Sequence, residues 1–260
     1  MQINFSKPNI EKLNKQSYQC VDMHFHSCYS DGLADIDEIL EKSRREGFGV
    51  AIADHNEIQG CLEAFRKKRK DDFVIPAIEV KSDELVDILF YFYDVEEYIK
   101  FYEKEIKKNK KRLFHTSKTS LSLEEIYEIS TKYNCVSCVA HPFGYSMRAS
   151  RKNIFKIHKS ILEKFKVVEA INGGNLRRHN ELAVNYIIEN KKAVTGGSDA
   201  HVLKNIGRVI TFSKADTVKE FLDNIKNKKA GVVGVERKKG KLSQYTDYAV
   251  AMVAKKLKKK

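Results

Sequence analysis

The chain repeatedly closes a short apolar run on a histidine, a carboxylate or an asparagine and then enters an amphipathic stretch of helical period. The apolar runs predict strands over 20–27, 48–55, 73–80, 85–93, 135–141, 167–172 and 193–201. Helix-like segments cover 36–46, 59–70, 95–112, 123–132, 153–165 and 180–190, and a further one covers 217–227. Ser122 with Glu125 three positions on resembles a capping box. Strand–helix alternation predicts parallel strands and an α/β sheet or barrel. The polar residues at or just past the strand ends are His24, His26, His55, Glu79, His141, Asn172, Asp199 and His201. Parallel barrels carry their active sites at that end, where the loops converge.

At 260 residues and 42% hydrophobic content the chain can bury one large core. No apolar run approaches the roughly 20 residues that cross a bilayer. The first residues lack the apolar stretch of a signal peptide, so a cytoplasmic location without membrane insertion is expected. The five cysteines fit reduced thiols. Cys135 and Cys138 lie three apart in a predicted strand, on opposite faces, and read as core residues rather than a metal pair. The net charge of +13 comes largely from lysine runs such as 66–70, 107–112 and 255–260. Such runs are usually solvated faces, yet their field would attract anionic substrates and leaves nucleic acid possible as a partner.

Side chains two apart in a strand share a face, so His24 and His26 can converge on one cation. Gly32 can turn Asp31 back over them. His55 follows the apolar run 50–52. Glu79 closes another apolar run, where a carboxylate is costly to bury unless paired or metal-bound. His141 ends the run before Pro142, and Asp199 and His201 repeat the two-apart spacing behind Gly196 and Gly197, which permit close backbone approach. His115, His158 and His179 lie in basic or helical surroundings and are expected at the surface.

These motifs, Asp22-Met23-His24-Phe25-His26 with Ser30-Asp31-Gly32, Asp54-His55-Asn56, Ile78-Glu79-Val80, Ala140-His141-Pro142 and Gly197-Ser198-Asp199-Ala200-His201, resemble in order and wording the polymerase-and-histidinol-phosphatase (PHP) family of metal-dependent phosphoesterases. The resemblance implies a distorted (β/α)7 TIM-like barrel with two or three divalent ions (Mn, Fe or Zn) at the C-terminal strand ends. By position, His24, His26, Glu79 and Asp199 would hold one ion. Glu79 would bridge to a second with His141, and Asp31, His55 and His201 would hold a third. Asp22 and Asp54 would orient imidazoles from behind. Many members carry a further histidine where this chain has Asp87, which either ligates as a harder donor or leaves the second site weak.

The implied activity is hydrolysis of a phosphate ester by a hydroxide that the cations activate, with a small phosphomonoester, nucleotide or oligonucleotide as substrate. Arg148 and Arg177, with Arg178, would bind phosphate from loops at the mouth. Competing expectations are an amidohydrolase-type reaction, or a metal-stabilised nucleic-acid-binding module without turnover. The expected organisation is an N-terminal extension over 1–19, the barrel over 20–235, and a basic amphipathic helix over 236–260 packed on it.

Overall fold

The computed structural model describes residues 2–113, 116–144 and 158–236. These residues form two five-stranded sheets and a two-stranded ribbon. The first sheet runs in the order β1 (Ile3–Asn4), β12 (Gly231–Gly234), β11 (Val209–Ser213), β2 (Gln19–Phe25), β3 (Gly49–Ile52). The second runs β10 (Ala193–Gly197), β9 (Val167–Asn172), β8 (Cys135–Val139), β5 (Asp87–Phe92), β4 (Ala77–Lys81). The ribbon pairs β6 (Lys110–Leu113) with β7 (Thr116–Thr119). Isolated parallel bridges join the sheets at Phe25–Ala200, Val50–Val74 and His55–Glu79, and no continuous closed ladder links them among the described residues. The mixed α/β class is therefore as expected.

Not every strand is parallel. The pairs β2/β3, β8/β9 and β9/β10 are parallel, but β5 runs antiparallel to both β4 and β8. The physical reason is the link 82–86, far shorter than the dozen or so residues a parallel crossover needs. Strands β1, β11 and β12 extend the first sheet beyond the seven predicted ones. The helix predicted over 95–112 breaks up. It is α-helical over Val95–Phe101, widens into one π turn over Tyr102–Ile106, tightens at Lys107–Asn109 and then enters β6. The helix expected over 236–260 lies outside the described residues from 237 onward.

Local chemistry explains where the other helices begin. Asp35 and Glu38 form a capping box for Ile36–Glu46, which stops at Gly47 in the left-handed region (φ 74°). Ser122 and Glu125 cap Leu123–Lys132 as the sequence predicts, and Thr217 with Glu220 does the same for Val218–Lys226. All of β5 is buried, and the Tyr91 hydroxyl under it donates to the Met23 carbonyl (2.9 Å). Tyr98 likewise donates to the Ala77 carbonyl at 2.7 Å. Each buried hydroxyl is satisfied by the backbone of a strand that carries site residues, which fixes those strands relative to the core. No helix among the described residues is long and apolar enough to cross a membrane.

Candidate metal centre

Five imidazoles and four carboxylates meet where the two sheets adjoin. The groupings are His26, Asp31, His55 and His201; His24, His26 and Asp199; His24, Glu79 and His141; and His55, Glu79 and Asp87. Strand β2 delivers His24 and His26 by its two-residue period, and β4 presents Glu79 from its middle rather than its end. His141 and Asp199 sit just beyond β8 and β10 with φ of 27° and 47°, a region costly for side chains other than glycine. Strand β10 ends at Gly197, so Asp199 and His201 are loop residues and not the strand pair expected. Gly197 permits the approach. A Cβ there would lie 2.4 Å from the His24 nitrogen.

The distances suit a shared cation. A tetrahedral ion holding donors at about 2.1 Å sets them about 3.4 Å apart. His24 Nε2 lies 3.4 Å from Glu79 Oε1, and His26 Nε2 lies 3.3 Å from Asp199 Oδ1 and 3.6 Å from Glu79 Oε2. On the other side Asp31 Oδ2 stands 3.5 Å from His55 Nε2 and 3.3 Å from His201 Nε2. His141 Nε2 is 3.2 Å from Glu79 Oε1 and 3.8 Å from Asp87 Oδ2. His24 Nε2, His26 Nδ1, His55 Nδ1 and Glu79 Oε2 are buried without a hydrogen-bond partner, although His55 Nδ1 comes within 2.7 Å of Glu79 Oε2 out of line. Buried polar atoms are rarely left so, and a cation is the group that would satisfy this donor set. The residues fit a metal centre.

Charge follows the same geometry. Burial alone would keep His24 neutral, but Glu169, Glu79 and Asp199 outweigh it and hold its pKa well above the ordinary value. His141 rises to about 9 against the pull of burial, through its hydrogen bond with Glu79 and the nearby Asp87. His201 also reaches about 9, with Asp31 overcoming burial. His26 is lowered by burial and then by His201 and His55. Burial opposes ionisation of Glu79, yet His55 and His24 bring it well below the carboxylate range, and Asp31 is lowered by His201 and His55 in the same way. Without metal, protons stand in for cations, so metal binding has to displace them.

The expected orienting carboxylates need correction. Asp22 accepts from the backbone N–H groups of Ser198 (2.9 Å) and Gly207 (2.7 Å), and Asp54 accepts from Ser27 N–H (2.8 Å) and from the Ser27 and Ser30 hydroxyls (2.6 Å each). They tie loops together and touch no imidazole nitrogen. The group that orients an imidazole is Glu169, buried in β9. Its Oε1 accepts a hydrogen bond from His24 Nδ1 at 3.0 Å, leaving Nε2 facing the centre, and its Oε2 accepts from the His141 backbone N–H at 2.8 Å. The cost of burying a carboxylate, which singled out Glu79, applies equally to Glu169 in its apolar strand and was the available signal. For His201 the Asp199 carbonyl plays the same part, 3.1 Å from Nδ1.

Other expected residues fare differently. Arg177 pairs with Glu236 (2.8 Å) and lies over the Phe5 ring at 4.2 Å, and neither partner belongs to the cluster. Arg148 and His115 lie outside the described residues. His179 is buried rather than at the surface, because the helix Arg177–Glu189 turns that side inward with Asn180 and Ala183. Cys138 is buried 3.1 Å from Thr195 Oγ1, as a core position should be, whereas Cys135 at the start of β8 is partly exposed.

Residues 177–230 match the model of PHP_C, a PHP-associated segment. No curated protein matches the chain. Among solved structures, a protein of Bifidobacterium adolescentis assigned as a metal-dependent phosphoesterase is similar at 20% identity and TM-score 0.57, over 75% of this chain and 89% of that one. A two-domain protein of Bacteroides vulgatus with a PHP-like phosphoesterase assignment is similar at 13% identity and TM-score 0.64, over 90% of this chain and 69% of that one. The lesion-specific endonuclease Q of Pyrococcus furiosus gives 18% identity and TM-score 0.63, over 81% of this chain and 56% of the endonuclease. At such identities the likeness concerns the fold. The matched PHP-associated segment and the fold shared with PHP-like proteins together support the PHP domain family for this chain.

Proposed function

We propose that the chain is a metal-dependent phosphoesterase that hydrolyses a phosphate ester at the His24–Glu79–Asp199 cluster. The observation that carries this is the convergence of imidazole and carboxylate donors around four buried atoms lacking hydrogen-bond partners. His24, His26, Glu79 and Asp199 would hold one divalent ion, and Asp31, His55 and His201 another, with manganese, iron and zinc as candidates. When bound, such ions supply Lewis acidity to a phosphoryl oxygen and lower the pKa of water. The chain's residues do the positioning. Glu169 and the Asp199 carbonyl fix the tautomers of His24 and His201, and Glu79 faces both ion positions.

The substrate class is a small phosphomonoester, a nucleotide or an oligonucleotide, in line with neighbours named as phosphoesterases and an endonuclease. Arg148 remains a proposed phosphate ligand, whereas Arg177 would first have to leave Glu236. The three bridges between the sheets support closure into the distorted (β/α)7 barrel, with residues 20–235 as its span. The test is a panel of p-nitrophenyl phosphate, bis-p-nitrophenyl phosphate, nucleotides, short oligonucleotides and amides, run on chelator-treated protein with each metal restored. Metal-dependent release of phosphate or nucleotide is expected. Turnover of amides alone, or salt-sensitive DNA binding without turnover, would replace this proposal.

A further inference from the structure

Lys81 extends from β4 two residues beyond Glu79, so both side chains leave the same face of the strand. Its ammonium contacts both oxygens of Asp87, on the neighbouring strand β5, with Oδ2 at 2.6 Å. The pair is nearly enclosed, with side-chain exposures of 14% for Lys81 and 7% for Asp87. Asp87 is also the group 3.8 Å from His141 Nε2, and it completes the donor group with His55 and Glu79.

Each imidazole nitrogen serves one ion, and His24 Nε2 already faces Glu79 and Asp199. An ion beside His141 that did not share His24 would then have His141 and Glu79, and Asp87, 3.8 Å from His141 Nε2, is the group placed to bring it to the three protein ligands usual for a catalytic site. Both Asp87 oxygens are taken by an ammonium, and that positive charge would also repel a dication placed next to it.

Building on the metal-centre reading, we propose that the Lys81 ammonium is a built-in cation that replaces one metal ion on the His141 side, so that the chain binds two divalent ions and not three. Asp87 is the counter-ion of Lys81 and no metal ligand.

The test counts manganese(II) on chelator-treated full-length protein, by equilibrium dialysis and elemental analysis. Wild type is expected to bind two ions per chain. Lys81→Ala, which frees Asp87, should bind three, and Lys81→Ala/Asp87→Asn should return to two. Asp87→Asn alone should keep two, which tests the idea even where the lysine variant fails to fold. Three ions on wild type, a loss of one in Asp87→Asn, or a count that stays at two in folded Lys81→Ala would each overturn it. Wild type that binds no ion would instead sink the metal-centre reading beneath.

Discussion

The two flanks of the cluster draw on the same residue types and reach opposite charge balances. Around His55, three imidazoles face Asp31, two of them also face Glu79, and among the described residues no lysine ammonium pairs with these two carboxylates. Around His141 there is again an imidazole with two carboxylates, but one carboxylate is held by Lys81. One flank therefore has its charge left for cations from solution, while the other carries its own. Counting ligand-type residues would treat the flanks alike. Following where each carboxylate oxygen goes separates them.

The largest effect is expected at the residue the flanks share. Glu79 faces His24 and His141 through Oε1 and His26 and His55 through Oε2. Glu79→Gln keeps the shape and removes the charge. Bound metal should fall to one ion or none, and phosphoesterase activity should fall by more than the ~10–100-fold that an outer partner typically costs. Metal content and kcat measured on the same sample check this. A variant with full metal and near-normal kcat would mean that the flanks do not meet at Glu79.

The flanks part at the next step down. His55→Ala should cost one bound ion, since His55 and His201 both lean on Asp31, whereas His141→Ala should leave the ion count as in wild type. Equal losses in the two variants would erase the asymmetry. Glu169→Ala should weaken metal binding by about 10–100-fold without altering the count, because it frees the His24 ring to rotate and removes no donor. Partial recovery in Glu169→Gln, which can still accept the His24 Nδ1 proton, would mark its role as positioning. A change in ion number would make it a ligand instead.

Strand period and burial cost act on single residues and mark His24, His26 and Glu79 as candidates, while the full proposed ligand set rests on the motif resemblance. His24 and His26 are two apart in an apolar strand, and Glu79 would be expensive there without a partner. Whatever depends on the partner was harder to see. Lys81 shares the face of Glu79 by the same period, but one lysine among 48 basic residues carries no flag until β5 brings Asp87 beside it. Asp22 and Asp54 stood next to the motif histidines in sequence, and their oxygens instead serve backbone N–H groups and serine hydroxyls. The direction of β5 was readable from the short link 82–86, and the regular strand–helix alternation on either side obscured it. Loop residues beyond β8 and β10 owe their placement to left-handed backbone at His141 and Asp199, which no local propensity announces.

The smallest effect concerns pH, and it draws on both flanks, because His141 belongs to one and His201 to the other. Both have folded-state pKa values of about 9 against an ordinary 6.5 in the unfolded chain. A raised value means that the folded, metal-free chain binds protons more tightly than the unfolded one. The resulting stabilisation is complete below pH 6.5 and fades as pH climbs through about 9. The lowered carboxylates Glu79 and Asp31 stabilise the fold fully above their unfolded values near 4 and lose that only as pH falls below them, so they add no slope in this window. Metal-free protein should therefore show a falling Tm from pH 6.5 to 9, while added manganese raises Tm most at the alkaline end, where no proton has to leave. His201→Gln and His141→Gln should each remove part of the slope. If only His201→Gln does so, Glu79 does not hold His141 protonated in the metal-free chain, and the asymmetry between the flanks extends to their protons as well as their ions.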